Sequence, residues 1–462
     1  MISIKEIIQA ADGILIVGKP EDIIKRISID SRTLCEQDLF IAIKGDNFDG
    51  HDFISAALDK KAAGIIVSAR WFRDNQNKLE KAEQTVIRVE DTTIALGKIA
   101  GFYRKKFNIP VIAVTGSNGK TTTKEMIFTV LSAKYKVLKS QSSFNNHIGV
   151  PLTLLQLTPE HQVAILEIGM NHKGEIRTLS GIVSPNIAVI TNAAEAHMGF
   201  FNSVSEIAQA KCELLEKSDL LEKAIINADS KELWETASKY RNNIIGIGTK
   251  DNLKYWASNI KTVDNGVEFK LNNKYSVKLK ILGEHNVGNA LAAIAVADQL
   301  GIDMAVIIDQ LACFESASLR MQLIDIGNIS VIADCYNANP QSMSAALKTI
   351  HGIKSRRRKI VVVGDMLELG KFSEQHHRRI GELVAEYKVD LFISVGKEAA
   401  FAAQGALAAG MDKNSVFNCS TSEDVYNILS KQMKDKDLIL FKGSRGMRLE
   451  KIISRLKNIS YR

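Results

Sequence analysis

Residues 111–125, Val-Ile-Ala-Val-Thr-Gly-Ser-Asn-Gly-Lys-Thr-Thr-Thr-Lys-Glu, restrict the fold more than any other stretch of the chain. An apolar β-branched run feeds a Gly-x-x-Gly-Lys-Thr-Thr turn, and a helical pattern follows. Strand, glycine turn and helix N-terminus in that order predict a phosphate cradle. Backbone N–H groups of the turn point inward and the helix dipole favours an anion. Lys120 adds a point charge, and Thr121 is placed to set its hydroxyl on a magnesium ion. The common form of this loop has a glycine five residues before the second one. Here that position is Val114 and the earlier glycine is Gly116, so the loop is a shortened variant. A chain carrying it binds a nucleoside triphosphate and needs a parallel sheet to deliver the strand.

A length of 462 residues exceeds one ordinary core and predicts three domains at ~150 residues each. Hydrophobic residues at 45% beside charged ones at 24% place the chain among soluble globular proteins. No apolar run approaches the ~18 residues that span a bilayer, and the N-terminus, Met1-Ile-Ser-Ile-Lys-Glu6, lacks a signal peptide's apolar block. Cysteines 35, 212, 313, 335 and 419 are scattered and never form a C-x-x-C pair. Reduced thiols in a cytoplasm fit that pattern better than a disulfide framework or a zinc site. The net charge of +8 suits nucleic acid or polyanionic small substrates. Basic residues are not interleaved with aromatics, as a strand-stacking surface requires, so no nucleic-acid partner is expected. The densest basic run, Arg356-Arg357-Arg358-Lys359, precedes an apolar strand and reads as a solvated turn.

Along the chain, strand and helix signals alternate. Leu39–Ile43 and Gly64–Val67 read as strands around an amphipathic stretch at 53–61, and the polar stretch 75–82 reads as a linker. Val86–Val89 and a helix near 92–107 open a second unit. Strands at 163–168, 187–190 and 224–227 follow, with helices between them, which argues for a parallel sheet covered on both faces. Asp264-Asn-Gly266 between two alternating runs signals a hairpin, and helices at 286–300 and after Asp303 close the unit. A third α/β unit begins near residue 313. Its expected strands are 330–335, 360–363, 391–395 and 438–441, each followed by a helix, one of them opened by Pro340.

Several polar groups fall at strand ends. Glu167 lies inside the buried-strand pattern 163–168, where a carboxylate beside the phosphate strand suits Mg²⁺. The loop after 187–190 carries Glu195 and His197. Lys211 sits among Ala and Leu on a helix. It either snorkels to the surface or lies buried with a depressed pKa, in which case a neutral amine can capture carbon dioxide as a carbamate. Asp334-Cys-Tyr-Asn-Ala-Asn-Pro340 either presents hydrogen bonds to sugar or amide groups or is an Asn-Pro turn with its N-cap. Gly364-Asp-Met-Leu-Glu-Leu-Gly370 holds two carboxylates that suit a cationic amine or merely solvate a loop.

Taken in order, these pieces resemble the Mur ligases over essentially the whole chain. The resemblance is carried by Asp30-Ser-Arg32, Phe48-Asp-Gly-His-Asp-Phe53, Thr115–Thr122 with Lys124-Glu-Met126, and Asn145-Asn-His-Ile-Gly-Val-Pro151. Glu167–Asn171, Gly283-Glu-His-Asn-Val-Gly-Asn-Ala290, Tyr336-Asn-Ala-Asn-Pro340, Gly364–Gly370 and Gly443-Ser-Arg-Gly-Met447 extend it. Ala333 departs from it, since many relatives carry an acidic residue there. The resemblance implies an α/β fold of three domains. Residues 1–84 would bind the UDP substrate, and 85–312 would form a central parallel-sheet ATPase domain of the P-loop type. Residues 313–462 would form a Rossmann-like domain that binds the incoming dipeptide and closes over ATP. It implies ATP-dependent joining of D-alanyl-D-alanine to UDP-N-acetylmuramoyl-tripeptide through an acyl phosphate. That reaction belongs to peptidoglycan synthesis, in a cytoplasmic monomer. A sibling ligase or a folylpolyglutamate synthetase adding one amino acid is the alternative.

Roles follow from the same resemblance. Gly116, Ser117, Asn118, Gly119, Lys120, Thr121 and Thr122 would hold the ATP phosphates. Thr121 and Glu167 would bind Mg²⁺, and His197 with a carbamylated Lys211 a second ion. Asn286 and Asn289 would flank adenine, while Arg320 and Asp334 reach phosphate and ribose. Ser31 and Arg32 would line the uridine pocket, and Asn145 and Asn146 would meet the muramoyl peptide. Tyr336, Asn337, Asn339, Asp365 and Glu368 would face substrate in the third domain.

Overall fold

The computed structural model describes every residue except 80–82, 196–198, 217–219, 242, 354–356 and 460–462, and the side chains of residues 78 and 459. His197, Arg356 and the end of the expected linker lie outside the described residues. The chain divides into two compact units. One is Met1–Val114, Tyr135–Ala188 and Glu216–Glu222; the other is Thr115–Lys134, Val189–Leu215 and Lys223–Arg462.

The first unit opens on a five-stranded sheet. Its order is Ile14–Val17, Thr85–Val89, Gly64–Ser68, Asp38–Ile41, Arg26–Ser28. All neighbours run parallel except the first pair. Phe40, Ile65, Val67 and Val86 fill its core. Two expectations change here. Thr85–Val89 does not open a second unit; it is hydrogen-bonded between two strands of this N-terminal sheet. The stretch read as a linker is helical as far as Leu79, within Ala69–Leu79. Phe72 and Leu79, seven residues apart on one helix face, reach the core that the polar residues between them conceal.

His51 is buried, with Nδ1 2.6 Å from Asp49 Oδ1 and Nε2 accepting the Ser68 N–H at 3.1 Å. The same Nε2 lies 3.1 Å from Ser68 Oγ. Asp, His and Ser in that order look like a nucleophilic triad. Here they staple the 48–53 motif to a strand end, because the imidazole is buried and stacked on Trp71.

The rest of this unit holds Val163–Glu167 between Val137–Lys139 and Val111–Thr115, all parallel. Every residue of Val111–Thr115 and Val163–Glu167 is buried, as strands covered on both faces require. Glu167 pairs in register with Val114, beside the strand that runs into the glycine turn.

In the second unit, Lys223–Asn227, Ile244–Gly248 and Tyr255–Val263 run parallel, then turn antiparallel through Gly266–Leu271 and Tyr275–Leu279. Val263 pairs with Gly266 across Asp264-Asn265, the hairpin the sequence signals. Helix Asn286–Gln299 is buried over most of its length and packs on helix Lys120–Leu131.

The C-terminal sheet of this unit has the order Gln322–Ile326, Ile329–Asp334, Leu438–Lys442, Lys359–Gly364, Leu391–Val395, Val416–Cys419. Only the first strand is antiparallel to its neighbour. The strand latest in sequence is inserted between the first two parallel strands, pairing Lys442 with both Asp334 and Val363. The loops after residues 334, 364 and 442 therefore leave one edge together, where open α/β sheets bind ligands.

Helices Ser373–Glu386 and Ala400–Ala408 meet backbone to backbone. A Cβ on Gly381 would stand 1.9 Å from the Ala402 carbonyl oxygen, and one on Gly405 2.2 Å from that of Arg378. Gly381→Val is expected to lower stability by about 3 kcal/mol through this overpacking, read as a fall in the urea midpoint; an unchanged midpoint would refute it. In the basic run Arg357 is exposed and Arg358 half-buried. Arg357 Nη1 donates to Ser330 Oγ at 2.5 Å, and Arg358 pairs with buried Asp437 at 3.3 Å.

Candidate nucleotide and ligation site

The turn after Val111–Thr115 is held from below. Gly119 has φ +80, and a Cβ there would fall 2.3 Å from Asn289 Oδ1, so only glycine keeps this conformation at that approach. Ser117 N–H donates to the Asn192 carbonyl at 3.0 Å, Asn118 N–H to Asn192 Oδ1 at 2.9 Å, and Ser117 Oγ to the Ala194 carbonyl at 3.1 Å. Lys120 Nζ curls over the turn, donating to the Gly116 carbonyl at 2.7 Å and the Ser117 carbonyl at 3.3 Å. Thr121 and Thr122 are buried at the start of helix Lys120–Leu131. Asn289 and Asn286 are buried too, and their amides face inward. Asn289 Nδ2 donates to Asn286 Oδ1 at 2.8 Å, Asn286 Nδ2 to the Leu282 carbonyl at 2.8 Å, and Thr123 Oγ1 to Asn289 Oδ1 at 3.1 Å. The pair thus props the turn from beneath.

Lys211 is 2% exposed on helix Val204–Cys212, which overturns its reading as a surface lysine. Burial, and secondarily the Lys120 ammonium, holds its amine well below the ordinary pKa of 10.5.

Of the two readings of the Tyr336–Pro340 segment, the structure shows the Asn-Pro turn with its N-cap. Asn339 caps helix Pro340–Gly352, its Oδ1 accepting the Ser342 N–H at 2.9 Å. Its Nδ2 donates to Asn118 Oδ1 at 2.7 Å, and Asn118 Nδ2 donates to Gln341 Oε1 at 2.8 Å. The head of that helix is thereby bonded to the glycine turn. Asn337 is exposed, its Oδ1 accepting the next N–H. Arg320 lies over the Tyr336 ring, 4.1 Å from its centroid.

Asp334 Oδ2 pairs with buried Lys442 at 2.7 Å, and its Oδ1 accepts the Met321 N–H at 3.1 Å. Sequence reasoning passed over Lys442, although a polar residue ending an apolar strand is the signal that singled out Glu167. The two acidic residues of the 364–370 loop part company. Asp365 is buried, accepting the Ala399 N–H at 2.7 Å, a loop-building role, whereas Glu368 is exposed.

His377, also missed, is fully buried. Nε2 accepts the Met366 N–H at 3.0 Å, and Nδ1 stands 2.8 Å from the Ser373 carbonyl, so the neutral ring fixes this loop. Burial lowers its pKa below 6.5, against Asp365 and Glu398, which raise it, and His376, which lowers it further. The unfolded chain therefore binds the proton more readily. The stabilisation is complete above about pH 6.5 and is lost as pH falls through the folded value. His377→Gln is expected to flatten the acid limb of a thermal-stability profile below pH 6.5; an identical profile would refute it.

In the first unit, Asn145 Nδ2 donates to Glu167 Oε1 at 2.8 Å, and Ser140 Oγ accepts the Glu167 N–H at 3.1 Å. Asn146 Oδ1 accepts the Gly149 N–H at 2.9 Å, where helix Gly149–Leu154 begins. The two asparagines edge a cleft of about 440 Å³ with Met170, Asn171, Lys173 and Glu175. Ser31 is half-buried. Arg32 is exposed and forked onto Asp30 at 2.9 and 2.8 Å, and those bonds hold the Asp30 carboxyl down at about 2.

Known proteins share this arrangement. Residues 23–104 match the Mur ligase family catalytic domain, 114–297 the Mur ligase middle domain and 319–445 the Mur ligase glutamate ligase domain. The UDP-N-acetylmuramoyl-tripeptide–D-alanyl-D-alanine ligase of Bacillus subtilis is 37% identical over 98% of both chains. A MurF crystal structure from Acinetobacter baumannii superposes with a TM-score of 0.88 at 32% identity, covering 99% of this chain and 98% of that one. MurF from Thermotoga maritima in complex with ADP gives 0.83 at 27% identity, over 94% and 98%. With three domain matches in order and a likeness that runs almost end to end, the chain belongs to the Mur ligase family.

Proposed function

We propose that this chain joins D-alanyl-D-alanine to UDP-N-acetylmuramoyl-tripeptide, converting ATP to ADP and phosphate. The observation that carries this reading is the Gly116–Thr122 turn with Lys120 folded over it, in a chain alike over nearly its whole length to ligases of that name. A carboxylate is a poor electrophile, so its oxygen first attacks the γ-phosphorus and ADP departs. The amine of the dipeptide then attacks the acyl carbon, the tetrahedral adduct expels phosphate, and the nitrogen sheds a proton. Charge builds on the equatorial phosphoryl oxygens in the first step, where Lys120 and the N–H groups at the head of its helix, residues 119–122, stabilise it.

The remaining assignments rest on chemistry and resemblance. Thr121 and Glu167 offer hard oxygens of the kind Mg²⁺ takes beside phosphates, and His197 with carbamylated Lys211 would hold a second ion. When bound, the metals neutralise phosphate charge. Burial depresses the pKa of the Lys211 amine, which favours the carbamate, since only the free amine adds to carbon dioxide. Asn286 and Asn289 take the adenine side, Asn289 through its support of Gly119. Arg320 and Asp334 take phosphate and ribose, Ser31 and Arg32 the uridine end, and Asn145 and Asn146 the muramoyl peptide. Tyr336, Asn337, Asn339 and Glu368 face the dipeptide side, with Asp365 shaping its loop. Three functional domains follow, for the UDP substrate, ATP and the dipeptide. Their bounds are near 84 and 312, with the first moved past Val89 to keep its sheet whole. Among the described residues no helix is long and apolar enough to cross a membrane, and we place the chain in the cytoplasm as a monomer.

Phosphate release tests the reading. It should require ATP, Mg²⁺, the nucleotide tripeptide and D-alanyl-D-alanine together. Dependence on a single free amino acid would transfer the chain to a sibling activity.

A further inference from the structure

The edge of the C-terminal sheet is more ordered than a loop with two carboxylates needs to be. Ser444 Oγ accepts the Leu367 N–H at 2.9 Å, and Ser444 N–H donates to the Asp365 carbonyl at 3.0 Å, fastening loop 365–370 to loop 443–447. Leu367 lies over Gly446, where an added Cβ would stand 3.1 Å from the leucine Cδ1. Even so, 47% of this leucine is exposed. Glu368 follows it, exposed and in the left-handed region at φ +69. Its carbonyl accepts the Gly199 N–H at 3.2 Å, two residues beyond His197. On the Ser444 side of the leucine is Arg445, whose side chain is 54% exposed. Its Nη1 is 3.0 Å from Glu450 Oε1, and its guanidinium carbon is 5.9 Å from the Tyr336 centroid. Glu450 and the ring set the direction of a five-donor fork while engaging one arm of it.

We propose that Arg445 receives the terminal carboxylate of the incoming dipeptide and that Leu367 packs against its methyl groups, with the amine at the Glu368 end. The inference rests on the function proposed above. Its polarity follows from the bond between Glu368 and Gly199. That end of the loop meets Gly199, five residues on in sequence from Ala194, whose carbonyl accepts the Ser117 hydroxyl of the phosphate turn. A zwitterion whose amine reacts there needs a cation at its other end, and a guanidinium fork matches a carboxylate in shape and charge. Arg445 is thus a specificity-determining residue.

The experiment compares D-alanyl-D-alanine with D-alanyl-D-alaninamide at saturating ATP and nucleotide tripeptide. The unaltered enzyme should show a KM about 10- to 100-fold higher for the amide, the scale of a lost charge-assisted hydrogen bond. Arg445→Gln should raise the KM for the dipeptide by a similar factor, leave the KM for the nucleotide unmoved, and handle the amide no worse than the parent does. Arg445→Lys should fall between. Leu367→Glu, which leaves Arg445 in place, should penalise the acid more than the amide. Equal KM values for acid and amide in the unaltered enzyme would overturn the proposal while the ligase reading stands. So would an Arg445→Gln variant that penalises both acceptors alike. An enzyme that takes no dipeptide overturns both.

Discussion

Lys120→Ala is expected to reduce ATP-dependent phosphate release by ~10³-fold or more, the scale on which a preorganised charge stabilises phosphoryl transfer. The folded protein should survive the change. The lysine is half-buried, and its ammonium donates to two carbonyls of its own turn. Ser117 and Asn118 keep the turn fastened through Asn192 and Ala194 without it. Adenine nucleotide should still bind, weakened, because the cradle is mainly backbone N–H. A variant with unchanged melting temperature and a rate within tenfold of the parent would refute the assignment.

Lys442→Met should cost about 3–5 kcal/mol of stability, since it leaves the partner carboxylate in a poorly solvated site without its cation. Lys442 is 2% exposed, and its ammonium also lies 3.2 Å from the Asn337 carbonyl and 3.4 Å from that of Asp334. Adding Asp334→Leu should recover much of the loss, because removing both charges also removes their desolvation. Urea unfolding of the two single variants and the double variant measures the cycle. Strict additivity, with the double variant as weak as the sum of the singles, would show that the pair is not coupled.

The sequence disclosed the phosphate turn and the parallel strands because both are local. A β-branched run, two glycines and a helix start specify themselves within fifteen or so residues. Glu167 was legible for the same reason, as a charge where a buried strand should be apolar. What stayed hidden depends on distant partners. Nothing near Thr85–Val89 says that it closes an N-terminal sheet, since pairing across twenty residues leaves no local mark. Lys211 could be read as snorkelling or buried because an Ala- and Leu-rich helix serves either. Asp365 and Glu368 looked alike in sequence and differ only because the Ala399 N–H happens to face one of them. Asn339 was legible as a helix cap because the cap is local, whereas its bond to a turn 221 positions earlier left no mark in the sequence.

The insertion of Leu438–Lys442 between two earlier strands ties this sheet edge to the order of synthesis. A nascent chain that has emerged only to residue 430 holds both flanking strands but not the one that joins them, leaving two open apolar borders. The Asp334 carboxylate then has no cation, and the loop ending at Gly370 has no serine to fasten it. Until translation delivers that last strand, such an intermediate should be a ready client for chaperones and proteases.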